Sequence, residues 1–175
     1  MDFNMNRRRA LGAAGFLAAG AALTLAGCKN QTTDQLTADV NLLSSGLSGI
    51  VTQLSDPALK VPPNVIAQVQ KALTDLQMNA AQIGTSLTPN ANAIQTISTA
   101  VSTIASLAMP FFAAAPQFAP VVAIVQAALA LLPAIVAFVG APTPAPAAKA
   151  ARSMTPDQAR LVLQDAPATM TRRSF

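Results

Sequence analysis

The chain has no histidine, no glutamate, no tryptophan and no tyrosine, and a single cysteine, Cys28. His and Glu carry most general acid–base catalysis, so their absence removes the usual means of moving a proton. Every acid is an aspartate; Asp34 and Asp39 stand five apart, off a common helical face, and Asp56 and Asp75 are isolated. Ser and Thr abound, but a nucleophilic hydroxyl needs a base beside it. The glycines stand singly, so no loop is built to cradle phosphate. One cysteine makes no internal disulfide. The expectation is a protein that is not an enzyme, with no catalytic residue, no metal and no dissociable cofactor.

Charge is scarce as well. Only 10% of the residues are charged, against roughly 25% in an average soluble domain. From Leu76 to Ala148 there is no charged side chain at all. Such a stretch makes a poor free surface and belongs in protein, in lipid or in an assembly. The net charge of +4 overstates the basicity, because residues 1–27 hold Arg7, Arg8, Arg9 and Asp2; the rest carries eight basic and six acidic side chains. With no aromatics among the basic residues, nucleic acid is not expected as a partner.

What is present begins at the N-terminus. Residues 1–9, MDFNMNRRR, are polar and positive, and residues 10–25, ALGAAGFLAAGAALTL, are an apolar run of 16. The run is short for a bilayer span and rich in Ala and Gly, which is the build of a signal peptide. It closes on Leu25-Ala26-Gly27-Cys28, which resembles the lipobox of bacterial lipoproteins. That resemblance covers residues 1–30. It implies a diacylglycerol on the Cys28 sulfur, cleavage before Cys28 and an acyl chain on the new amino group. The residues suit the chemistry: a thiolate is the nucleophile for a thioether, and small Ala26 and Gly27 fit a protease cleft. Lys29 follows Cys28; by resemblance to enteric lipoproteins, where Asp at that place retains the protein in the inner membrane, the expected destination is the outer membrane, facing the periplasm.

Arg7-Arg8-Arg9-Ala10-Leu11-Gly12 also resembles the twin-arginine export motif. Arg7, Arg8 and Leu11 match, while Ala10 and Gly12 depart from the usual Phe and Lys. The alternative is that the arginines only supply charge for the general export route.

Beyond a polar tether, KNQTT, the pattern turns helical. Leu36, Val40, Leu43, Leu47, Ile50 and Leu54 are spaced 4, 3, 4, 3, 4, the seam of one helix, with Thr33 as its expected N-cap. Gly46 and Gly49 weaken that helix but leave room for a close neighbour. After a Pro-rich connection at 55–64, a second helix starts at Pro62 or Pro63 with Ile66, Val69, Leu73, Leu76, Ala80 and Ile83 on its seam and Gly84 as its stop. Thr88 and Pro89 read as the cap and first residue of a third helix, carrying Ile94, Ile97, Val101, Ile104 and Ala108. Pro110, Pro116 and Pro120 then predict a loop or kinked turn, with Phe111, Phe112 and Phe118 plugging one end of the bundle.

Residues 121–139, VVAIVQAALALLPAIVAFV, are apolar on every face except at Gln126. A helix of this kind is a core helix or a membrane span. Gln126, Pro133 and the lack of Trp or Tyr belts favour the core. Residues 140–153 read as an extended Pro/Ala linker. TPDQARLVLQD then reads as a short helix capped by Thr155, docking through Leu161 and Val162.

The expected architecture is all-α: an antiparallel bundle of about four helices, a Pro/Ala linker and a short C-terminal helix. The boundaries are 1–27 for the removed signal, 28–33 for the lipidated tether, 34–140 for the bundle, 141–154 for the linker and 155–175 for the last helix and basic tail. The expected function is a non-enzymatic envelope protein, held on the membrane through its lipid, whose Ser/Thr/Gln surface or C-terminal helix meets an envelope protein partner. The alternative is a membrane-active protein of pore, lysis or toxin type that inserts residues 101–139 as a helical hairpin. A weaker expectation is an apolar-ligand carrier with a pocket between the third and fourth helices.

Overall fold

The computed structural model describes residues 32–85 and 90–171. Among them the regular structure is entirely helical: α1 (Thr33–Leu47), α2 (Ile50–Leu54), α3 (Pro63–Thr85), α4 (Ala91–Ala113), α5 (Ala119–Ala137), α6 (Ala145–Ala150) and α7 (Pro156–Thr171), with 3-10 turns at Pro57–Leu59 and Pro116–Phe118.

The cap of α1 is Thr32, one residue before the expected Thr33. Gln35 N donates to Thr32 Oγ1 at 3.3 Å, and Thr32 N donates to Gln35 Oε1 at 3.1 Å. This reciprocal pair satisfies two N–H groups that a helix start leaves open. Thr32→Ala should therefore cost about 1 kcal/mol and lower the melting temperature by roughly 4 °C, read by thermal circular dichroism. All six seam residues from Leu36 to Leu54 are buried, but on two helices rather than one. The chain turns at Ser48 and Gly49 and then resumes the same apolar face.

In α3, Val69, Ala72, Leu76, Ala80 and Ile83 are buried, and Ile66 and Leu73 are half-buried. Gly84 does not stop the helix, which runs on to Thr85; the positive-φ glycine of the described fold is Gly140. Thr88 and Pro89 lie outside the described residues. α4 is capped by Asn90, whose side chain accepts from Asn92 N at 2.9 Å. Its five seam residues are buried.

The expected break at Pro110 does not occur. α4 passes through it to Ala113, and Pro133 and Pro167 likewise stand inside α5 and α7. A mid-helix proline removes one hydrogen bond but keeps a helical φ. At Pro110 the bond lost is the one to the Ser106 carbonyl, on an exposed residue where water replaces it. Continuing the helix buries Phe112 instead.

α5 is the centre of the fold. Twelve of its residues, from Val121 to Val136, are buried, and α1, α4, α6 and α7 all pack against it. It leaves through a Schellman turn, Ala141 N to Val136 O at 3.0 Å and Gly140 N to Ala137 O at 3.2 Å, with Gly140 at φ +67°. The predicted extended linker is not extended: residues 145–150 form α6, which buries Ala147 and Ala150 against the core. Alanines 145, 147, 148 and 150 favour helix, and Pro146 sits in its first turn, where its missing N–H costs nothing.

The last helix is neither short nor appended. α7 spans 16 residues and packs on both α1 and α5. Its capping box joins Thr155 and Gln158 at 3.0 and 3.3 Å. The buried face is Ala159, Leu163, Ala166 and Met170, spaced 4, 3, 4. Leu161, expected to dock, is 63% exposed, and Val162 is half-buried. Among the described residues five helices of fifteen residues or more thus stand where about four and a short C-terminal one were expected.

Candidate functional site

The expected lipidation and export residues, Cys28 with Arg7, Arg8, Leu11, Leu25, Ala26 and Gly27, lie outside the described residues. The hairpin expected over 101–139 is described: it is most of α4, the Phe-rich turn and α5. Both helices are long and apolar enough to cross a membrane by length and composition, and α5 is the more buried of the two.

The α1–α7 seam has the most specific chemistry among the described residues. Arg160 Nε donates to Asp39 Oδ1 at 2.7 Å and Nη2 donates to Oδ2 at 2.9 Å, a planar fork matched to a carboxylate. Nη1 also donates to Asp157 Oδ1 at 2.6 Å. The Asp39 side chain is 3% exposed and that of Arg160 30%. The hydrogen bonds to Asp39 push the guanidinium pKa above its usual value, against the opposing effect of burial. Asp39 had a sequence signal: it stands three residues after Leu36 and four before Leu43, on the buried face of α1. An acid there needs a partner. Nothing in the sequence named Arg160 as that partner.

The same seam explains Gly46 and Gly49. A Cβ at Gly46 would stand 2.7 Å from Leu163 Cδ2, and one at Gly49 would overlap Met170 Sδ. The neighbour they admit is α7. The pairs 39 with 160, 46 with 163 and 49 with 170 rise together, so α1 and α7 run in the same direction.

Two surface grooves accompany the seam. One of about 540 Å³ lies between α3 and α4 and is lined by Gln68, Asn92, Gln95, Thr96, Thr99 and Thr103, with the Lys71–Asp75 ion pair, 2.8 Å, on its edge. That pair is exposed and contributes little to stability. The other, about 530 Å³, lies between the start of α1 and the end of α3, lined by Thr33, Asp34, Thr37, Asn41, Ile83 and Gly84. Neither lies between α4 and α5, where an apolar-ligand pocket was expected. No cluster of three or more His, Cys, Asp or Glu occurs among the described residues. The chain matches no protein-family model, no curated protein and no solved structure.

Proposed function

We propose that this chain is a non-enzymatic lipoprotein of the bacterial cell envelope, anchored through acyl chains on Cys28 and presenting its helical unit to the periplasm. One observation carries the reading: Leu25-Ala26-Gly27-Cys28 closes a positive n-region and an apolar run, and the capped start of a folded unit follows at once. Three residues, Lys29, Asn30 and Gln31, separate Cys28 from Thr32, the N-cap of α1. The neutral groove between α3 and α4 is the surface offered to an envelope partner. The short connection between α4 and α5 supports an antiparallel pair there, and α7 lies beside and parallel to α1.

The test is fractionation with labelled palmitate. Wild type should take up label and sediment with membranes. Cys28→Ser, given an Ala-x-Ala cleavage site, should lose the label and appear in the soluble periplasm. Arg7→Lys with Arg8→Lys should block export if the twin-arginine route is used. A wild-type chain that is exported but never labelled would refute the lipoprotein assignment.

A second reading has its own support: insertion of the α4–α5 hairpin into a bilayer. α4 and α5 are consecutive, each is long and apolar enough to span, and the turn between them is uncharged. Under this reading the unlipidated chain resists carbonate extraction.

A further inference from the structure

We propose that α7 is a strap over α5, and that its release lets the α4–α5 hairpin enter a lipid bilayer. This assigns the control of the membrane-active reading and rests on it.

α5 is apolar on every side except at Gln126, so its composition admits a lipid core as well as a protein core. Its covering elements decide which it meets. Among the helices that pack on it, α4 would insert with it, which leaves α1, α6 and α7. α7 is built to leave. It is joined to α5 only through residues 138–155, which contain Gly140 in the left-handed region and three prolines, at 142, 144 and 146. Its buried face is narrow, two of its four residues being Ala. Pro167 removes a hydrogen bond from its last turns.

What fastens α7 is local and specific. Arg160 grips Asp39 through two hydrogen bonds, and Leu163 and Met170 sit over Gly46 and Gly49. These contacts act together at one seam, so loss of the ion pair loosens α7 from α1 and leaves it held by its packing on α5. The hairpin beneath is ready for lipid. It has no charged side chain along either helix or the turn, and the exposed residues at its tip include Pro110 and Ala113 at the end of α4 and Ala114, Pro116 and Gln117 in the turn. Crossing a bilayer would desolvate no charge.

The geometry supplies a reversible lock. An ideal Cβ at Gly46 lies 3.6 Å from Leu163 Cβ, inside the range of about 3.5–4.5 Å that a disulfide needs. The experiment uses the full chain carrying Cys28→Ser, Gly46→Cys and Leu163→Cys, with and without Arg160→Gln. The readout is dye release from vesicles of phosphatidylethanolamine and phosphatidylglycerol. The reduced protein should release dye at least tenfold faster than the oxidised one. Arg160→Gln should speed the reduced form further and leave the oxidised form silent. Equal release by both forms would overturn the strap while membrane activity stands. No release by any form, the reduced Arg160→Gln protein included, would refute hairpin insertion and the strap with it. Failure of the two thiols to pair under oxidant would contradict the α1–α7 seam itself.

Discussion

Phe112→Ala should lower the unfolding free energy by about 3–5 kcal/mol, the cost of emptying a fully buried aromatic site. Phe112 is 1% exposed in the last turn of α4, and Phe118 is 3% exposed in the 3-10 turn before α5. Their ring centroids are 5.6 Å apart with the planes tilted by 36°. Such pairs add about 0.5–1.5 kcal/mol beyond burial alone. The pair sits where two long helices meet across a very short connection, so the cavity has little freedom to collapse. Against a total stability of roughly 5–15 kcal/mol, the loss is about a fifth or more of what holds the domain together. Urea unfolding followed by circular dichroism measures it. Phe111→Ala, at a half-buried ring beside it, should cost clearly less. A change under about 1 kcal/mol for Phe112→Ala would mean that the rings do not hold the turn.

Periodicity made the core of this fold readable. Leu36 through Leu54, Ile94 through Ala108 and the apolar run of α5 are buried as their spacing required. A helix face repeats every few residues, so local sequence reports it. What went unread depended on partners far along the chain. Pro110 reads as a breaker until the continued helix is seen to bury Phe112. The Pro/Ala stretch reads as a linker until α5 offers a surface to Ala147 and Ala150. Leu161 looks like the docking residue of α7, yet the face that fits Gly46 and Gly49 is the one bearing Leu163 and Met170. Asp39 reads in the sequence only as off the face of Asp34; it is buried on the seam of α1, and its partner lies 121 residues away, a distance no local pattern spans. The expected anchor residue Cys28 rests on a different kind of reading. A processing signal is read as linear sequence by other proteins, so its meaning does not wait on this chain's folding.

The Asp39–Arg160 pair makes the other large prediction. Arg160→Ala should cost about 3 kcal/mol, the low end for a buried pair, because the guanidinium retains 30% exposure. Asp39→Ala should cost less, about 1.5 kcal/mol. The asymmetry follows from surroundings: Arg160 keeps Asp157 and water, whereas Asp39 sits 3% exposed on the apolar face of α1. A double-mutant cycle should give a coupling of about 1–3 kcal/mol. The pair Asp39→Leu with Arg160→Met should recover most of the loss, since two apolar groups need no compensation. The sign with pH follows from the guanidinium. Its pKa is raised on folding, so the stabilisation is complete wherever the guanidinium of the unfolded chain is still protonated and is lost only in stronger alkali. The gap between wild type and Arg160→Ala should thus stay constant from neutral pH to pH ~10. A coupling near zero would leave α7 held by the glycine contacts and by its packing on α5. Arg160→Gln would then not hasten dye release, while the disulfide would still suppress it, so the stability cycle and the vesicle assay test the same seam by independent readouts.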